Sequence, residues 1–178
     1  ASGPDAEGPF PALILVHGGG WSRGDKQVFI KPLFEPLTEA GFVWFSVNYR
    51  LAPACRYPAP VDDVVTAVRW VKEHASEYKA DPKRLALIGE SAGGHPVALV
   101  GARYGKELGL RAVAPFYAPC DMESLAVERA ASDRAPKSIA AFIGYTELNE
   151  QARLLLREAS PVTHVAADMP PFLLIHGD

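Results

Sequence analysis

The stretch RLALIGESAGGHPVALV, residues 84–100, decides how the rest of the chain is read. Arg84–Ile88 is a short apolar run of strand length, and the small and apolar residues from Ala92 onward read as a buried helix. Only Gly89-Glu90-Ser91-Ala92-Gly93-Gly94 separates them. A strand that passes into a helix through so tight a turn belongs to a parallel sheet covered by helices. Outward from this unit the same alternation continues. Ala12–Val16 is an apolar run that ends at Gly18-Gly19-Gly20, and Phe42–Val47 is rich in aromatic and β-branched residues. Ala112–Phe116 and Phe172–Ile175 complete an expectation of five strands. The clearest helix covers Val61 to Tyr78, where Val61, Val64, Val65, Val68, Val71 and Ala75 share one stripe. Asp62 and Asp63 fall in its first turn, where carboxylates complement the helix dipole. Ala80-Asp81-Pro82 breaks the chain before the third strand. A helix over Gln27–Ala40 is interrupted by Pro32 and Pro36. Residues 118–171 leave room for two or three short helices, the best of them Asn149–Ala159, and a segment so placed often walls a binding site.

Composition narrows the class of protein. The chain has 178 residues, 48% of them hydrophobic and 22% charged, which fits one α/β domain spanning residues 1–178. Its net charge of −3 argues against a nucleic-acid partner and against a basic membrane-binding patch. No apolar run reaches the roughly 18 residues of a membrane span. Ala1–Pro11 is polar and rich in Gly and Pro, unlike a secretory leader, and the compartment stays open. Cys55 and Cys120 match no metal spacing and are expected to be free thiols.

The turn at Ser91 carries the chemistry. With 15 glycines in the chain, about 0.06 chance matches to Gly-x-Ser-x-Gly are expected, fewer still between a strand and a helix. A serine there is lifted above the sheet edge, with a helix N-terminus aimed at the charge its attack would create. Ser91 is therefore the candidate nucleophile. His17-Gly18-Gly19-Gly20-Trp21, at the end of the first strand, supplies the complement. Acyl transfer needs backbone N–H donors around a developing oxyanion, and glycines let a substrate approach them. The candidate donors are the N–H groups of Gly19, Gly20 and Ala92. A phosphate cradle is the competing reading of three glycines, but no Gly-Lys-Ser/Thr follows.

His17–Trp21, Asn48-Tyr49-Arg50-Leu51-Ala52-Pro53, Tyr57-Pro58-Ala59 and Gly89–Gly94 occur in the order and spacing of the hormone-sensitive-lipase-like carboxylesterases. The chain most resembles their lidless bifunctional feruloyl and acetyl-xylan esterase group, and Ser160-Pro161-Val162 with Pro170–Gly177 extends the resemblance nearly to the end. The resemblance implies a three-layer α/β-hydrolase fold, a mostly parallel sheet with helices on both faces. It also places Trp21 and Glu90 at the substrate-binding site, Trp21 as pocket wall and Glu90 as a polar support. Pro96, in the helix after Ser91, departs from the family pattern.

In this fold the triad runs Ser, then Asp or Glu, then His. The resemblance puts the acid just past residue 178, with Asp178 a weaker candidate, and none of the five histidines follows it. The family's first hairpin is also missing ahead of Ala12. The expectation is therefore a sheet truncated at both edges, a fragment of a longer polypeptide, feeble by itself for want of a base. The expected parent reaction is hydrolysis of a small-molecule, short-chain carboxylic ester through an acyl-enzyme on Ser91, without cofactor or metal. A serine peptidase of the acylaminoacyl type and a non-catalytic ligand receptor of the same fold are the alternatives.

Overall fold

A computed structural model describes residues 7–131 and 137–177; Asp178, the weaker candidate for the acid, lies outside them. Four strands form one parallel sheet in the order β2-β1-β3-β4: β1 (Phe10–Val16), β2 (Val43–Val47), β3 (Ala80–Glu90) and β4 (Ala112–Phe116). β1 sits between β2 and β3, and its pleat sorts the core. Ala12, Ile14 and Val16 face one apolar cluster, and Leu13 and Leu15 face another. The first cluster is covered by α2 (Ala59–Glu73) and α3 (Gly94–Tyr104), the second by α1 (Phe34–Glu39) with the 3-10 turn Lys31–Leu33 before it. Helices thus lie on both faces, the three-layer α/β-hydrolase arrangement.

Sequence signals and structure part in three places. β3 begins at Ala80 and not at Arg84, because the chain bulges through the Asp81-Pro82 break and resumes: Phe10 pairs with Ala80, then Ala12 with Leu85. Prolines shorten the first helix. Pro32 is the second residue of the 3-10 turn and Pro36 falls in the first turn of α1, where a missing N–H costs nothing. The expected fifth strand is the third correction. Phe172–Ile175 runs parallel to β4, with Leu173 N–H donating to Val113 O at 2.9 Å, but it makes isolated bridges at Phe172 and Ile175 and no continuous ladder. Among the described residues it is paired on one side only, and Leu173, Leu174 and Ile175 are exposed.

The stripe read over Val61–Tyr78 is buried at Val61, Val64, Val68 and Val71 and half-buried at Val65, but the helix ends at Glu73 and a separate 3-10 turn, Ala75–Tyr78, buries Ala75. Each fully buried valine is worth about 1.5–3 kcal/mol. Pro96 is the third residue of α3, inside the first turn, so it breaks no helical bond. Between β4 and Phe172 the chain makes α4 (Met122–Ala131), α5 (Lys137–Ile143) and α6 (Glu150–Glu158). Asn149 caps α6, its side chain accepting from Ala152 N–H at 2.9 Å. Glu123 of α4 is held by Arg153 and Arg157 of α6, at 3.1 and 3.0 Å. Cys55 and Cys120 are free thiols.

Candidate active site

The register of β1 on β3 builds the site. Val16 pairs with Gly89, so the His17–Trp21 loop and the Glu90–Gly94 turn leave the sheet side by side at the same level. Ser91 takes φ 52°, a left-handed conformation that a serine adopts only under constraint. The constraint is visible. Ser91 N–H donates to Phe116 O at 2.9 Å, Gly93 N–H to Glu90 O at 2.8 Å, and Ser91 O accepts from His95 N–H at 3.2 Å. The flanking glycines are required by contact. A Cβ on Gly89 would collide with the carbonyl of Gly93, and one on Gly93 with the carbonyls of Val16 and His17. Strand, turn and loop can close together only without those side chains.

The glycine loop is held from three sides. The buried His17 ring stacks on Tyr49 with centroids 4.5 Å apart, and Tyr49 O–H donates to His17 O at 3.0 Å. His17 Nδ1 meets Gly18 O at 2.7 Å, and burial holds the ring below the ordinary histidine pKa, so it is a neutral spacer. Glu90, 8% exposed, accepts Gly18 N–H at 2.7 Å through Oε1 and Tyr117 O–H at 2.9 Å through Oε2. Gly19 and Gly20 then take φ 116° and 62°, and Trp21 follows at 58°. Trp21 is 3% exposed, stacks on Phe142 of α5 at 4.7 Å, and accepts Ala52 N–H on its carbonyl at 2.8 Å. The Asn48–Pro53 segment is therefore the cradle of this loop. Arg50, clamped to Asp63 of α2 at 2.8 Å, fixes the cradle in turn.

A cavity of about 320 Å³ opens over the turn, lined by Gly20, Trp21, Ser91, Ala92, Tyr117, Ala118, Pro119, Leu125, Arg129, Ser138 and His176. Of the residues expected from sequence, it gathers Ser91, Gly20, Ala92 and Trp21. Gly19 stands one residue upstream of this lining. Glu90, expected at the substrate-binding site, has both carboxylate oxygens engaged and acts through Gly18 and Tyr117. Leu125 and Arg129 of α4 and Ser138 of α5 were not foreseen, since nothing in their local sequence tells which way a short helix turns its face. Among the described residues no group of His, Cys, Asp and Glu is disposed to hold a metal ion.

The five histidines separate cleanly. His74 stacks on Trp70 at 4.3 Å, and its Nδ1 meets Trp70 O at 2.8 Å. His164 Nε2 meets Glu158 O at 2.7 Å. His95 is fully buried, bonds Ala159 O through Nε2 at 2.7 Å, and desolvation lowers its pKa to about 4. His17 belongs to the loop. Only His176 reaches the cavity wall, with Nδ1 on Gly177 O at 2.9 Å.

Comparison with known proteins identifies the family. The BD-FAE family model matches residues 2–178. The chain is 32% identical to Esterase LipC of Mycobacterium tuberculosis over 186 residues, covering 95% of this chain and 44% of that protein. A truncated form of a carbohydrate esterase from gut microbiota superposes with TM-score 0.84 at 26% identity, over 98% of this chain and 68% of that one. An acetyl ester-xyloside bifunctional hydrolase from Caldicellulosiruptor lactoaceticus superposes with TM-score 0.77 at 26% identity, over 96% and 62% of the two chains. The chain spans less than half the length of the first curated relatives it matches, 42%, 41% and 44%. A strained serine between β3 and α3, a glycine loop from the neighbouring strand and a match along nearly the whole length lead to one assignment: the chain belongs to the BD-FAE family of α/β-hydrolase-fold esterases.

Proposed function

We propose that the protein hydrolyses short-chain carboxylic esters through an acyl-enzyme formed on Ser91. One observation carries the reading. Ser91, held at φ 52° at the end of β3, shares a cavity with Gly20 and Ala92, which lie on the two main-chain segments suited to hold an oxyanion. In the first step Ser91 Oγ adds to the ester carbonyl carbon. The carbonyl oxygen becomes an oxyanion that accepts from the N–H groups of Gly19, Gly20 and Ala92, each such donor worth about 3 kcal/mol in the transition state. The C–O bond to the alcohol then breaks and the alcohol departs with a proton. Water adds to the acyl-enzyme, and the same donors hold the second oxyanion until the acid leaves. The Ser91 proton needs a base. His17, His74, His95 and His164 do not line the cavity over Ser91, so the reading assigns it to none of them. Names of relatives, Esterase LipC and Esterase LipQ among them, support the reaction class.

The test is covalent labelling. A fluorophosphonate should modify the protein at one site, and Ser91→Ala should abolish both labelling and hydrolysis of nitrophenyl acetate. Retention of either by Ser91→Ala overturns the nucleophile. A wild-type protein that binds esters without turnover would be a receptor, and one that cleaves peptides faster than esters a peptidase.

A further inference from the structure

Behind the glycine loop, Trp21, His95 and Phe142 pack ring against ring. Trp21 lies stacked on Phe142, and His95 meets Trp21 edge-on at 5.5 Å and Phe142 edge-on at 5.3 Å. Two polar atoms of this core, Trp21 Nε1 and His95 Nδ1, are buried and have no hydrogen-bond partner among the described residues. They are complementary. The indole nitrogen can only donate. His95 Nε2 faces the carbonyl of Ala159 at 2.7 Å, which fixes its proton there. Burial keeps the ring neutral, so Nδ1 carries a bare lone pair. An orphan donor and an orphan acceptor on touching rings are rare in a folded interior, where each unmet group is costly.

We propose that a single buried water joins the two rings, accepting the Trp21 N–H and donating to His95 Nδ1. The link ties two segments that must stay in register. Trp21 directly follows Gly20 in the glycine loop, and His95 lies four residues after Ser91 with its N–H on the Ser91 carbonyl. His95 is thereby a positioning residue for the oxyanion donors, a role that rests on the reading of Ser91 as nucleophile. Its two nitrogens do different work: Nε2 anchors α3 to the end of α6, and Nδ1 sets the loop through the water.

Two substitutions separate these tasks. His95→Gln keeps an N–H donor where Nε2 stands and loses the acceptor at Nδ1. His95→Asn keeps an acceptor near Nδ1 and loses the anchor to Ala159. The expected result for His95→Gln is a near-native melting temperature, a kcat on nitrophenyl acetate lowered about tenfold with KM little changed, and a shifted Trp21 indole N–H resonance. His95→Asn should melt earlier yet keep most of kcat and a native indole resonance. Trp21→Phe identifies that resonance by its loss. It should lower kcat as much as His95→Gln does, and combining the two should lower it no further. If His95→Gln retains the wild-type kcat and indole resonance, or if His95→Asn loses kcat as heavily as His95→Gln, the link is overturned. Should Ser91→Ala leave hydrolysis intact, the nucleophile reading falls, while the indole resonance still decides the water.

Discussion

Replacing Glu90 by alanine removes both acceptors that connect the glycine loop to the cavity wall. Gly18 N–H, which donates to Oε1 at 2.7 Å, is buried and would be left unsatisfied, at about 1–3 kcal/mol. Tyr117, which donates to Oε2 at 2.9 Å, is half exposed and can turn to water, adding little. The expected loss of stability is therefore about 1–3 kcal/mol, or about 2–12 °C in melting temperature for a domain of this size. Activity should fall further than stability. Gly19 and Gly20 follow Gly18 directly, and a donor displaced by about 1 Å costs on the order of 100-fold in rate. Glu90→Gln is the control, because its amide oxygen still accepts Gly18 N–H and its amide nitrogen can donate to the Tyr117 oxygen. It should lose less than about 1 kcal/mol and a few-fold in rate. The assay is thermal unfolding beside kcat/KM on nitrophenyl acetate for all three proteins. If Glu90→Ala matches Glu90→Gln in both, the carboxylate does not set the loop.

Gly93→Ala should fail to accumulate as folded protein, or melt far below wild type, because the new methyl collides with two backbone carbonyls that cannot yield; expression and circular dichroism check it. His95 gives a pH signature. Its folded pKa of about 4 lies below the 6.5 of the free group, so the unfolded chain binds the proton first as pH falls. Stability should be full above pH 6.5 and decline towards pH 4 by on the order of 3 kcal/mol, and His95→Gln should flatten that decline in melting temperature. In a series of nitrophenyl esters, kcat/KM should peak from acetyl to butyryl, since the cavity holds only about 320 Å³. A steady rise towards long chains would reject that preference.

What could be read from sequence was what local chemistry dictates. The turn at Ser91 was legible because the glycines on either side have no other use, and α2 because its valines repeat at helical spacing. Strand bounds blurred where two strands meet at a bulge: the Asp81-Pro82 break is real, yet β3 continues through it because Phe10 finds Ala80 across the gap. Asp63 read as a helix-start residue, but its carboxylate holds Arg50, thirteen residues earlier in a loop. The working partner of Glu90 was hidden for the same reason. Gly18 is 72 residues away in the chain, and only the β1–β3 register brings them together. The wall supplied by Leu125, Arg129 and Ser138 depends on how α4 and α5 dock, which no short pattern encodes.

The cavity has two parts. Its floor is made of main chain, set by the pairing of two central strands, with no room for a Cβ at Gly89 or Gly93. Its far wall comes from α4 and α5, short helices strung between β4 and Phe172 that touch the floor through a few side chains such as Phe142. On the proposed chemistry, exchanging that wall as a cassette would retarget the site to a new alcohol or acyl group and leave the main-chain floor unaltered.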